Sequence, residues 1–134
     1  LETKNHRFPK EQKLKSRKTL EQIFASGKRL FVGNIRIRYL IGEGEAGVKC
    51  GVGLSGRFFK KAVDRNRIKR LLREAYRLQK QDLVNRAETS GKQVSVFILY
   101  AGRELPDYTN IYENLGVALQ KLLNALDTTS RQNP

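Results

Sequence analysis

Apolar residues along this chain switch between two spacings, and each switch marks a change of element. Leu20, Ile23 and Phe24 recur at helical intervals, with Ser16 able to cap the segment and Gly27 able to end it, which predicts a helix over about 17–26. From Asn34 the period becomes two: Ile35, Ile37, Tyr39 and Ile41 fall on one face, and Arg36, Arg38 and Leu40 on the other. The glycine-rich stretch 42–47 reads as a turn, after which Val48, Cys50, Val52 and Leu54 alternate with Lys49, Gly51 and Gly53, so a β-hairpin is expected. Residues 28–32 are expected to add a short strand before it. The helical period returns from about Ala62 to Arg86, where Ile68, Leu71, Leu72, Ala75 and Tyr76 form a stripe and predict one long helix. Val94–Tyr100 is a continuous β-prone run that suits a central strand buried on both faces. Ile111, Leu115, Ala118, Leu119, Leu122, Leu123 and Leu126 predict a last amphipathic helix, with a frayed tail over 128–134.

The resulting order, helix, two or three strands, helix, strand, helix, belongs to the α+β class, with helices on a small, mainly antiparallel sheet. No repeat and no Pro-, Gly- or Ser-rich linker divides the chain, so residues 1–134 are expected to form a single domain with a mobile basic arm at 1–15. The first fifteen residues lack the apolar stretch of a secretory signal, and no run approaches the roughly 20 apolar residues of a membrane span, so a cytoplasmic protein is expected. One cysteine, Cys50, and one histidine, His6, exclude an internal disulfide and offer no spacing for structural zinc. The chain has no methionine and does not begin with one. We expect methionines to have been lost from the sequence, and an intact mass equal to 15.4 kDa would exclude this.

Charge changes the picture most. The net charge is +14, and it is segregated: residues 1–29 carry nine basic and three acidic side chains, residues 57–80 carry ten and two, and the remaining segments are close to neutral. Solubility alone is usually served by interspersed signs, whereas blocks of one sign suit a polyanion. On a helical projection Arg65, Asn66, Lys69, Arg70, Arg73 and Arg77 share one sector away from the apolar stripe, with only Asp64 and Glu74 to offset them. Arg57, Lys60 and Lys61 extend the block ahead of the helix, and Arg67 lies within it. Guanidinium groups hold phosphate through two oxygens in a fixed fork, so this face is expected to bind RNA. Membrane binding is not expected, because the large apolar residues of the helix are needed by the sheet. Arg36 and Arg38, on the non-core face of their strand, can extend a positive groove in which Phe24, Phe58 or Phe59 could stack unpaired bases. Helical spacing with Leu20 and Ile23 equally allows Phe24 to be a core residue.

The stretch from Ala62 to Tyr76, with its Arg65-Asn66-Arg67 core followed by Ile68-Lys69-Arg70-Leu71, resembles the signature of the bacterial ribonuclease P protein component. More loosely, Lys13-Leu14-Lys15 before the helix carrying Phe24, Gly53-Leu54-Ser55, and the segment Val96 to Arg103 resemble other parts of that family. The resemblance implies an αβββαβα fold with a left-handed crossover. It also implies an endoribonuclease holoenzyme in which the RNA subunit, using magnesium, removes the 5′ leader of precursor tRNA, and this chain supplies binding without catalytic residues. Its partners would be ribonuclease P RNA and precursor tRNA, with no obligate protein partner. The motif face would contact the catalytic RNA, and a cleft at Leu20, Phe24, Arg36 and Arg38 would hold the leader. Two departures stand out: Leu20 occupies a position where the family usually has an aromatic residue, and Arg38 one where many members have tyrosine. Gly56-Arg57-Phe58-Phe59 also follows Ser55 directly, giving a short loop. A stand-alone RNA-binding or ribosome-associated protein is the main rival reading, and an independent nuclease the third. A nuclease would need a catalytic constellation that His6 and the scattered carboxylates do not provide.

Overall fold

The structure, a computed structural model, describes residues 17–55 and 57–132. Ser16, His6, the Lys13-Leu14-Lys15 segment and the arm at 1–15 lie outside the described residues. Helix α1 (Arg17–Ser26) leads into strands β1 (Lys28–Val32), β2 (Ile35–Gly42) and β3 (Gly47–Leu54), then helices α2 (Ala62–Gln79) and α3 (Gln81–Ser90), strand β4 (Gln93–Tyr100) and helix α4 (Tyr108–Gln132). Helix α4 thus runs past Thr128, where the sequence reading places the start of a frayed tail.

Gly27 ends α1 with its N–H donating to the Ile23 carbonyl at 2.8 Å. A side chain is sterically barred at this corner, since a Cβ on Gly27 would sit 2.3 Å from the same carbonyl oxygen. The expected single helix over 62–86 is instead two, with Lys80 serving both as C-cap of α2 and N-cap of α3. Leu72, Tyr76, Leu83 and Ala87 continue one helical stripe through the break, so periodicity carries no sign of it. Gly91, at φ 68°, closes α3, and the N–H groups of Gly91 and Lys92 bond back to the Glu88 and Ala87 carbonyls.

The four strands form one mixed sheet in the order β1-β2-β4-β3. Strand β1 pairs antiparallel with β2 and β2 antiparallel with β4, while β3 pairs parallel with β4. This corrects the expected β2–β3 hairpin: the chain reverses after β2 but steps over β4 before β3 begins. That connection is fastened to the start of β4, through Gly47 N–H to the Lys92 carbonyl at 3.0 Å and a Lys92–Glu43 ion pair at 2.8 Å. The parallel β3–β4 pair requires a long crossover, which α2 and α3 supply.

One face of the sheet holds the core. Ile35, Ile37 and Tyr39 of β2, Val48 and Cys50 of β3, and Val94, Val96, Ile98 and Tyr100 of β4 are buried against Ile68, Leu72, Ala75 and Tyr76 of α2, Leu83 and Ala87 of α3, and Leu115, Leu119 and Leu122 of α4. Leu71, expected in the stripe, is partly buried at its edge. Strand β4 is central as expected, but its two faces differ: the alternate residues Phe97 and Leu99 are only half-buried. On that second face α1 lies against β2 and β4 with Ile23 fully buried beneath it, and among the described residues no other helix covers the rest of the face.

Candidate nucleic-acid interface

Two surfaces converge on the segment 57–61 between β3 and α2. The first is the outward side of α2, where Asn66, Arg67, Arg70 and Arg73 are exposed, joined by Arg57, Lys60 and Lys61 just ahead of the helix. Three of the residues expected on this side prove different. Arg65 is half-buried, and its Nη1 donates to the carbonyls of Phe59 (3.0 Å) and Lys60 (2.6 Å), so it braces the segment that leads into the helix. It does not cap the helix, whose N-cap residue Lys61 makes no side-chain capping bond, but ties the incoming segment to the first turn. Lys69 is half-buried. Arg77 is half-buried and forms an ion pair with Glu74, its Nε donating to Glu74 Oε2 at 3.3 Å. The open cationic face is therefore narrower than the helical projection implies, and it is concentrated on the first three turns of α2. Lys80, counted in the same charge block, is buried at the α2–α3 junction, and burial pulls its ammonium group below the ordinary lysine value.

The second surface is the open sheet face. Strand alternation and register bring Arg29 and Phe31 of β1, Arg36 and Arg38 of β2, Phe97 and Leu99 of β4, and Gly51 and Gly53 of β3 to this side. The strands place Arg29, Arg36, Arg38 and Lys49 on this side, and no Asp or Glu occurs in any strand. Phe24 of α1 is 43% exposed and meets Phe97 edge-on, with ring centroids 5.4 Å apart. The core alternative for Phe24 is thus excluded, since Ile23 takes that role. The Arg38 guanidinium lies 5.0 Å from the Phe24 ring centroid and donates to the Phe24 carbonyl at 3.2 Å. Arg38 and Phe24 thereby hold each other in place, leaving an aromatic surface flanked by positive charge. Leu20, also assigned to the cleft, is half-buried one turn before Phe24.

Where β3 and β4 end, the two surfaces meet. Phe58 is 41% exposed and has two guanidinium groups over its ring, Arg57 at 5.7 Å and Arg103 at 5.2 Å. Phe59 is no stacking residue: it is buried and packs on Tyr100 with centroids 6.1 Å apart, which anchors the segment. Tyr100 also donates its hydroxyl to the Glu104 carbonyl at 2.7 Å, folding back the turn that carries Arg103. The sequence reading did not place Phe31, Phe97 or Arg103 in the interface. For Phe97 the signal was available, because it shares strand parity with Ser95 and Leu99 opposite the Val94, Val96 and Ile98 set. Gly53 shapes the floor, since a Cβ there would sit 2.9 Å from Phe97 Cζ.

Comparisons with known proteins show the family and the fold. The family model for ribonuclease P matches residues 8–123. The ribonuclease P protein component of Porphyromonas gingivalis is 28% identical over 126 residues, covering 92% of each chain. That of a Picosynechococcus species is 32% identical over 116 residues, covering 87% of this chain and 90% of the relative. The fold is shared with the RNase P protein of Staphylococcus aureus, at TM-score 0.63 and 18% identity over 83% of this chain and 94% of that one. It is shared too with the RNase P protein of Thermotoga maritima, at TM-score 0.61 and 22% identity over 81% and 96%. An arginine-rich helix beside an acid-free sheet face, in a chain matched over most of its length, leads to one assignment: the chain belongs to the ribonuclease P protein family.

Proposed function

We propose that this chain is the protein subunit of ribonuclease P, binding the catalytic RNA through the exposed side of α2 and the unpaired 5′ leader of precursor tRNA along the open sheet face. Cleavage is the work of the RNA subunit, and the protein supplies affinity. Family membership supports a role in tRNA 5′ processing. The observation that carries the finer reading is the meeting of two different surfaces at residues 57–61. One is cationic with few rings, suited to the phosphates of a folded RNA. The other sets Phe24 against Arg38 and Phe58 against Arg57 and Arg103, suited to bases that are free to stack. A substrate that passes from a paired stem into a single-stranded leader presents those two chemistries side by side. Two RNAs brought together repel through their phosphates, and the arginines of α2 and the 57–61 segment lower that repulsion.

In this reading the magnesium ions belong to the RNA active site. Among the described residues no group of three or more His, Cys, Asp or Glu side chains is placed to hold a metal ion. No described helix is long and apolar enough to cross a membrane.

The test is cleavage of precursor tRNA by bacterial ribonuclease P RNA at low magnesium, with the protein, without it, and with protein alone. Stimulation that requires the RNA is the expected result. Tight RNA binding without stimulation would favour a general RNA-binding protein, and cleavage by the protein alone would overturn the assignment of chemistry to the RNA.

A further inference from the structure

We infer that the leader track does not end at Phe24 but continues across the sheet to its β1 edge, where Phe31, backed by Arg36, receives a further unpaired base. This rests on the leader-binding reading above and names an additional contact for it.

Phe31 is the most exposed phenylalanine of the described residues, at 56%. It lies directly opposite Arg36 in the β1–β2 ladder, and the Arg36 guanidinium stands 5.5 Å from its ring centroid. The next rung of the same face pairs Arg29 with Arg38, the residue that holds Phe24. Two aromatic stations, Phe24 with Arg38 and Phe31 with Arg36, are thus served by arginines two residues apart on one strand, a spacing of about 6.6 Å. That is a step an extended nucleotide chain can take from one ring to the next. Both side chains are exposed, and each has a guanidinium beside its ring that can pair with a phosphate between the two stations.

Charge selects the occupant. Arg29, Arg36 and Arg38 crowd this part of the face, and the strands offer no carboxylate to neutralise them. An apolar or basic protein partner would leave these charges uncompensated, whereas an RNA strand supplies one phosphate per step. The site also bears on Leu20. With a leucine one helical turn before Phe24, the α1 side offers one ring to the cleft, and Phe31 provides a second from the opposite side of the Arg36–Arg38 pair.

The experiment uses holoenzyme reconstituted with bacterial ribonuclease P RNA and measures affinity for precursor tRNA with leaders of graded length, alongside mature tRNA. Phe31→Ala is expected to weaken binding of the long-leader substrate by about fivefold or more, the usual effect of removing one base-stacking ring. It should leave mature tRNA and short-leader substrate unchanged, and Phe31→Trp should restore the long-leader affinity. Phe24→Ala is the control for the parent reading and should weaken short- and long-leader substrates alike. Wild-type behaviour of Phe31→Ala on every leader, with Phe24→Ala impaired, would overturn the extension and leave the cleft intact. Wild-type behaviour of both variants would overturn leader binding on this face altogether. An equal loss for Phe31→Ala on mature and precursor tRNA would also overturn the inference, because the ring would then serve the folded RNA.

Discussion

Arg65 and Arg67 stand two residues apart in the Arg-Asn-Arg motif, yet the structure gives them different work, and the difference is measurable. Arg65 Nη1 bridges the Phe59 and Lys60 carbonyls, whereas Arg67 is exposed and makes no side-chain hydrogen bond or ion pair among the described residues. A hydrogen bond to a charged donor contributes about 1.5–3 kcal/mol. Arg65 is only half-buried, so water replaces part of what Arg65→Ala removes, and about 1.5 kcal/mol is the appropriate figure. Unfolding entropy of about 2.1 cal/mol/K per residue makes that loss about 5 °C in Tm for a chain of 134 residues. Arg67→Ala should leave Tm unchanged and instead flatten the salt dependence of RNA binding, lowering the slope of log K against log salt by about 0.7–0.9, one phosphate contact. Thermal melts and a salt titration of binding to ribonuclease P RNA, run on both variants, separate the two roles. If Arg65→Ala melts with the wild type and loses salt dependence as Arg67→Ala does, the brace is refuted and Arg65 is a phosphate contact.

Three further outcomes follow from the geometry. Gly53→Val should push the Phe97 ring into Phe24 and Arg38, costing about 1–3 kcal/mol by overpacking and weakening leader binding more than binding of mature tRNA; equal affinity for both at wild-type level would show that the ring tilts freely. Tyr100→Phe deletes the bond to the Glu104 carbonyl, and should cost about 1 kcal/mol in denaturant titration and lower RNA affinity through the loosened Arg103 turn. Burial pushes the Cys50 thiol well above its ordinary 9.0, so the folded state keeps a proton that the unfolded chain releases. That contribution is intact below pH 9.0 and is lost as pH rises beyond it, at about 1.4 kcal/mol per pH unit. Lys80, whose value is lowered by burial, acts with the opposite sign on approach to its ordinary 10.5, so the comparison that isolates the thiol is wild type against Cys50→Ala, in which the alkaline loss should be smaller.

The sequence revealed the elements and the arginine helix because each rests on local spacing. Strand neighbours rest on something else. The 42–47 turn reverses the chain just as a hairpin would, and what carries β3 past β4 is pairing with a strand more than forty positions away, secured by the Lys92–Glu43 pair and the Gly47–Lys92 bond. The break at Lys80 was invisible for the opposite reason, since Tyr76 and Leu83 keep phase across it. Within the candidate interface, parity placed Arg36 and Arg38 on the non-core face, but it could not show that Arg38 would reach back to α1 and hold Phe24. Helical projection likewise treats every outward angle as equivalent, whereas the loop carbonyls drew Arg65 inward and Glu74 took Arg77.

Strand β2 reads alternately into two environments, with Ile35, Ile37 and Tyr39 on the packed side and Arg36 and Arg38 on the open one. Stability and recognition are thus assigned to interleaved positions on a single layer of backbone, and substitutions in one set leave the other largely untouched. Such a sheet can drift in what it recognises without being repacked. Relatives at about one-fifth identity can then keep the same architecture while the chemistry of the open side is retuned one alternate residue at a time.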